Sequence, residues 1–167
     1  RSILQCALER LERISGATLF SAFEHEFQLS QDSTLPNESF GLQRHIENVE
    51  LGESITGAIS EAGYTPDSFI AEYGPDQFEI TVAPEKGIRG ADAALVVREL
   101  TRIISRKKGN TATFTPIRNV EGVGNDTHIH FSLFRDDVPL MNDLEGPAGL
   151  SVLAGRFAAG VVKYMRS

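Results

Sequence analysis

Glu24 and Glu26 stand two residues apart in an alternating stretch, Glu79 lies between Phe78 and Ile80, and His128, His130 and Ser132 alternate with Ile129, Phe131 and Leu133. Residues two apart on a β-strand project to the same side, roughly 7 Å from each other, so each set forms a polar face. Gln77, Glu79 and Thr81 share one such face, and Glu72 falls on the paired strand just before the turn. If these strands are neighbours in one sheet with their apolar sides on helices, four carboxylates and two imidazoles converge on one concave surface. Such a cluster needs cations. Carboxylate oxygens with one or two imidazoles and no thiolate suit Mg²⁺ or Mn²⁺ rather than structural zinc. Two carboxylates on one strand can serve two metals, an arrangement that neutralises a phosphoryl group in transfer. Taken singly, each feature has an ordinary explanation: alternation is the default of any half-solvated strand, and a His-x-His pair by itself is more often not a ligand set. The coincidence of three polar faces in phase is what points to a metal centre. Arg98, Arg102 and Arg106 read as a solvated helix face without a site role. His25 has the opposite parity to Glu24 and Glu26, and His45 has no charged cluster at strand or helix spacing, so neither is assigned one.

The elements that must position these residues follow from periodicity. Ile3, Leu4, Ala7, Leu8, Leu11 and Ile14 mark one face of a helix over 1–14 that Ser15-Gly16 stops. Residues 17–29 alternate and read as a strand. Residues 30–40 read as a loop, and 41–62 is mixed, helical near 55–62. Residues 68–73 and 77–82 form two short strands joined through Gly74-Pro75-Asp76, a hairpin. Ala93, Val97, Leu100 and Ile104 set a helix over 88–106. Strands are expected over 111–115 and 127–134, with a Gly/Asn loop at 117–126 between them. The segment 149–165, apolar with Ala154, Gly155, Ala158, Ala159 and Gly160, reads as a helix packed closely on a neighbour. The order is α+β with antiparallel strands, one sheet face covered by helices and the other open for a site.

The composition agrees with a globular domain: 167 residues, 41% hydrophobic and 23% charged, a size at which folding buries roughly 70% of the chain's surface. Sixteen Lys and Arg against 23 Asp and Glu give a net charge of −7. The only dense basic cluster, 102–108, ends a predicted helix where cations suit the dipole, so nucleic acid is not an expected partner. No apolar run approaches the ~18 residues of a membrane span and no signal-peptide pattern opens the chain, so no membrane partner is expected. The single cysteine, Cys6, cannot make an internal disulfide and has no zinc-motif spacing to histidine, which leads to the expectation of a reducing, cytoplasmic setting. The chain begins with Arg1 rather than Met, which suggests a processed or excised segment.

The order of these motifs resembles a known family. Phe23-Glu24-His25-Glu26-Phe27, then Glu72-Tyr73-Gly74-Pro75-Asp76-Gln77-Phe78-Glu79-Ile80, then Ala112-Thr113-Phe114-Thr115-Pro116, then Gly124-Asn125-Asp126-Thr127-His128-Ile129-His130-Phe131-Ser132-Leu133 are similar to catalytic-domain motifs of glutamine synthetases and related glutamate–amine ligases. The resemblance covers residues 17–165, with Asp92 also fitting. It implies a curved antiparallel sheet with helices on one face, in a single domain over 1–167 that is the first part of such a catalytic domain, without the N-terminal β-grasp domain and the C-terminal remainder. It further implies Glu26, Glu72 and Glu79 as ligands of one Mg²⁺ or Mn²⁺, Glu24 and His128 as ligands of a second, His130 and Ser132 as contacts to ATP, and Gly124 and Asn125 beside the amino-acid substrate. The implied reaction transfers a phosphoryl group from ATP to a γ-carboxylate of glutamate or an analogue, and ammonia or an amine then attacks the acyl phosphate. A homo-oligomeric ring is the implied assembly of the parent.

The sequence departs from the family's usual Gly-Ser-Gly-Met-His at Gly124-Asn125-Asp126-Thr127-His128 and from Met-Pro-Lys-Pro at Thr115-Pro116-Ile117-Arg118, departures that bear on which acid and which amine are used. Two other functions fit the same motifs: a non-catalytic, structural or metal-binding relative, and an enzyme of the same fold that phosphorylates a guanidino group. The five charged ligands on one face weigh against the first. The isolated chain is expected to bind Mn²⁺ or Mg²⁺ weakly and to be catalytically silent.

Overall fold

A computed structural model describes residues 1–30 and 39–165; most of the loop expected over 30–40 lies outside them. In chain order the elements are α1 (Ser2–Ser15), β1 (Thr18–Leu29), α2 (Leu42–Glu47), α3 (Val49–Glu61), β2 (Pro66–Ala71), β3 (Gln77–Val82), β4 (Glu85–Lys86), α4 (Ile88–Lys107), β5 (Ala112–Thr113), β6 (Thr127–Arg135), β7 (Val138–Pro139), a 3₁₀ turn (Pro147–Gly149) and α5 (Val152–Tyr164). No helix among the described residues is long and apolar enough to cross a membrane. The chain divides into two compact units.

The larger unit comprises residues 22–85 and 89–130. Its centre is the antiparallel ladder of β1 with β3, in which Glu24 faces Thr81, Glu26 faces Glu79 and Gln28 faces Gln77. β2 pairs the other edge of β3, with Phe69 opposite Ile80 and Ala71 opposite Phe78, after a bulge between Pro66 and Ser68. The expected hairpin is present, and Glu72 extends it by donating its N–H to the Gln77 carbonyl at 2.9 Å. β5 pairs the end of β1 and is shorter than the expected 111–115 strand.

Strand parity then decides the two faces. Phe27, Leu29, Phe78, Ile80 and Val82 point to the buried side, where Leu51, Ile55 and Ile59 of α3 and Ala93 and Val97 of α4 cover them. The contact of α3 with β2 is close because residue 52 has no side chain: a Cβ there would lie 2.6 Å from Phe69 Cδ1. The sequence pattern placed the helix of this region only near 55–62. The structure instead has helix from Leu42 onward, in two pieces that meet at Asn48, and Arg44, buried on α2, explains the earlier start. Its guanidinium donates to the carbonyls of Glu72 (2.8 Å), Gly74 (3.1 Å) and Gln77 (3.0 Å) and lies 5.5 Å from the centre of the Phe78 ring. The charge is held by the open backbone of a turn, which a search for apolar periodicity does not detect. On α4, Arg98 and Arg102 lie 5.2 and 5.3 Å from the Phe114 ring, and Arg102 pairs with Glu99.

The smaller unit comprises residues 1–21, 86–88 and 131–167. α1 buries none of its residues; its apolar stripe, with Leu19 and Phe157, lines a shallow hollow. Ring pairs Phe20–Phe134 and Phe131–Phe157 and the buried Leu133 and Ala154 hold this unit. Arg135 donates to the Ser15 carbonyl where α1 ends. α5 starts at Ser151, whose hydroxyl accepts the Ala154 N–H at 3.1 Å. Its small residues do not serve the close packing expected of them. Ala154 alone among the five is buried, and a Cβ at Gly155 or Gly160 would meet no atom within 4 Å.

Candidate metal and phosphoryl-transfer site

The face of the larger unit turned away from its core carries an open hollow of about 400 Å³ lined by Glu24, Glu26, Glu72, Glu79 and His128, with Gln77, Phe40, Tyr73, Val123, Gly124 and Asp126. All five expected metal ligands therefore come together. Their donor atoms form two groups, Glu24 with Glu79 and His128, and Glu26 with Glu72 and Glu79, each with all its atoms within 4.8 Å of one another. Glu79 belongs to both, because it lies directly across the ladder from Glu26 and is a same-face neighbour of Glu24. The family resemblance implies Glu79 for one metal only; cross-strand register, which a single strand's parity does not carry, adds it to the second donor group.

Glu72 and Glu79 are buried, at 7% and 8% exposure, and carboxylates facing carboxylates in a dry place resist ionisation. Glu79 is pushed up to about 7, first by burial and then by the charges of Glu24, Glu72 and Glu26. Glu72 is raised by burial and by Glu26. His128 offsets part of this repulsion at Glu72 and Glu79; its Nδ1 lies 3.3 Å from Glu24 Oε2, and His130 Nε2 lies 2.9 Å from Glu24 Oε1.

Gln77 organises the floor. It is fully buried, and the two hydrogens of its Nε2 are shared among Glu26 Oε2 (2.9 Å), the Gly124 carbonyl (2.7 Å) and Asn125 Oδ1 (3.0 Å), while its Oε1 accepts the Gly74 N–H (2.7 Å). One amide thus ties a carboxylate of the cluster, the hairpin turn and the 124–125 loop together. Asp126 adds its N–H to the same Glu26 oxygen at 2.9 Å. Gly124 has to be glycine, since a Cβ there would lie 2.6 Å from the Pro116 carbonyl oxygen. Asn125 is buried, its Nδ2 donating to the Thr115 carbonyl at 2.9 Å; Gly124 and Asp126, not Asn125, line the hollow.

His130 lines a neighbouring hollow of about 340 Å³ with Glu24, Asp67, Thr81 and Pro84. Ser132 is exposed and falls in the smaller unit. His25 points to the core side, stacked 5.8 Å from Phe23, and has no site role. Arg44, Phe40, Tyr73 and Val123 were not singled out from sequence. Only Tyr73 falls inside a recognised motif, and nothing in the spacing of the others marks them.

The chain matches the model of the "Glutamine synthetase, catalytic domain" family over residues 1–167. It is 32% identical to type-1 glutamine synthetase 1 of Dictyostelium discoideum, over all of this chain and 37% of that protein. It is 29% identical to the glutamate–isopropylamine ligase of a Pseudomonas species, over 99% of this chain and 39% of that protein. A crystal structure described as a novel glutamine synthase homolog superposes with a TM-score of 0.91 at 36% identity, covering 98% of this chain and 38% of that one. That likeness makes the fold a curled antiparallel sheet with helices, as expected. The chain spans less than two fifths of the length of these relatives.

Proposed function

The chain belongs to the glutamine synthetase catalytic-domain family, and we propose that it carries the metal-binding part of the active site of an ATP-dependent carboxylate–amine ligase. The observation that carries this reading is the pair of donor groups sharing Glu79. The donor chemistry fits hard divalent cations: five oxygen or imidazole donors, no thiolate, and mutually repelling carboxylates with no arginine or lysine among the described residues that line the hollow, Arg44 acting on Glu72 from behind the turn. In this reading Glu26, Glu72 and Glu79 hold one Mg²⁺ or Mn²⁺, and Glu24, Glu79 and His128 hold the second. Bound there, the cations would screen a triphosphate from a carboxylate and stabilise charge moving to the leaving oxygen.

The chain's own residues supply orientation. Gln77 and the Asp126 N–H fix the Glu26 carboxylate, so it meets a cation without reorganising. His130 orients Glu24; by the family resemblance it is assigned to ATP, and so, separately, is Ser132. Gly124 and Asn125 form the loop beside the amino acid, glutamate or an analogue, whose γ-carboxylate accepts the phosphoryl group. Ammonia or an amine then forms the C–N bond as phosphate leaves. A cytoplasmic homo-oligomeric ring belongs to the same reading. The test is calorimetry with a non-hydrolysable ATP analogue, with and without Mn²⁺. Tighter binding with Mn²⁺, lost in Glu79→Gln, is the expected result; an analogue affinity indifferent to Mn²⁺ contradicts the reading.

A further inference from the structure

The hollow that holds the carboxylates is not polar throughout. Phe40, Tyr73 and Val123 line it and remain 55%, 61% and 42% exposed. Phe40 and Tyr73 pack edge to face with ring centres 5.1 Å apart. Phe40 is held there with φ of 56°, a left-handed conformation that a bulky side chain rarely adopts, and its N–H bonds to the Ala71 carbonyl at 3.0 Å. Backbone strain that leaves a ring open to solvent is not explained by core packing, and strain of this kind gathers at binding sites. Asp126 lines the same hollow; it is exposed, its N–H is committed to Glu26, and its carboxylate meets no cation among the described residues.

A hydrated divalent cation prefers oxygen donors, and ammonium has no carbon to bury. Aromatic faces attract organic cations through the ring quadrupole, carbon is stabilised by leaving water, and a carboxylate supplies the counter-charge. Together these match a positively charged nitrogen that carries a carbon chain. We propose that the acceptor bound in this hollow is an organic primary amine, its substituent against Phe40, Tyr73 and Val123 and its nitrogen toward the Asp126 carboxylate. The inference rests on the ligase reading above and adds the class of its acceptor.

The test is a set of NMR titrations of the chain with ammonium, n-butylammonium and n-butanol at fixed ionic strength, following the Phe40 and Tyr73 rings. Butylammonium is expected to bind at least tenfold more tightly than either of the others. Tenfold is about 1.4 kcal/mol, which about 56 Å² of buried apolar surface supplies. Phe40→Ala and Tyr73→Ala should reduce the advantage over ammonium below threefold, and Asp126→Asn should reduce the advantage over butanol. Phe40→Leu, which keeps bulk without a ring, serves if the alanine variants do not fold, and should weaken butylammonium in the same direction. Equal affinity for ammonium and butylammonium, butanol binding as well as butylammonium, or a response that survives Phe40→Ala and Phe40→Leu overturns the proposal. Mn²⁺ titrations of the same samples separate the two readings. Retained Mn²⁺ binding with no preference among amines rejects this inference alone, whereas absent Mn²⁺ binding rejects the ligase reading.

Discussion

Glu79 concentrates the electrostatic problem of the site in one side chain. Its acid form is favoured in the folded protein, with a pKa pushed up to about 7 from 4.5, so the folded state binds the proton more tightly than the unfolded chain does. The associated stability is present below pH ~4.5 and is lost as pH rises through about 7. Metal-free unfolding free energy should therefore fall over that window in urea titrations, and Glu79→Gln should flatten the fall. Because a carboxylate ligand must be deprotonated, Mn²⁺ affinity should rise across the same window and binding should release protons. His25 works in the opposite direction. It is buried, neither ring nitrogen makes a well-formed hydrogen bond, and burial and the nearby Arg98 lower its pKa from 6.5 to about 4. Stability is whole above pH ~6.5 and is lost as pH falls toward 4, by roughly 3 kcal/mol at the acid end. His25→Phe should remove that acid-side loss, read as the difference between variant and parent curves; curves that stay parallel from pH 7 to 4 would show that the imidazole is not held neutral.

At the scale of elements, the hairpin of β2 and β3 positions Glu72 and Glu79, and its turn is held from outside by Arg44 on α2. Arg44→Met leaves three carbonyls of the turn without their charged donor and should cost about 3 kcal/mol or more in urea unfolding. Mn²⁺ affinity should fall several-fold under conditions where the variant stays folded, because Glu72 follows the turn. Arg44→Lys should rescue little, since one ammonium does not reproduce the fork that reaches three carbonyls. Gly52→Ala tests the other side of the same hairpin. A Cβ 2.6 Å from Phe69 forces α3 away from β2 and should cost roughly 1–3 kcal/mol, with Mn²⁺ affinity in the folded protein unchanged. These two residues also show where sequence reading runs out. Period-two alternation located β1, β3 and β6, and 3.6-residue periodicity located α1 and α4, because those elements bury one face. α2 is six residues long and its key side chain is a cation, so the hydrophobic pattern carries no signal of it. The small residues of α5 misled for a related reason: small residues permit close packing, but only a neighbour makes it happen.

For the whole molecule, the sequence shows which carboxylates and which imidazole belong on one face, but not that Glu79 falls in both donor groups. Glu24, Glu26, Glu72, Glu79 and His128 could each be placed on a face from parity, and the hollow contains all five. The exchange of Glu79 between two donor groups depends on Glu26 lying opposite it in the ladder, a register set by packing of the entire sheet. Phe40 and Arg44, both within a segment of weak pattern, acquire meaning only after the chain folds back on the hairpin. Carboxylates crowded together in a chain of net charge −7 disfavour the metal-free fold, and the proposed cations would relieve that cost. Added Mn²⁺ or Mg²⁺ should raise the Tm through preferential binding to the folded state. Glu24→Gln combined with Glu72→Gln should melt higher than the parent without metal and lose that rise.

If two cation sites share the Glu79 carboxylate, a Mn²⁺ titration followed by the EPR signal of the free ion will count both. The two donor groups predict two Mn²⁺ per parent chain. Glu24→Gln should weaken one of them and Glu26→Gln the other, while Glu79→Gln should weaken both. A Glu79→Gln chain that still binds two Mn²⁺ with parental affinity, or that loses only one, would show that Glu79 does not serve both cations.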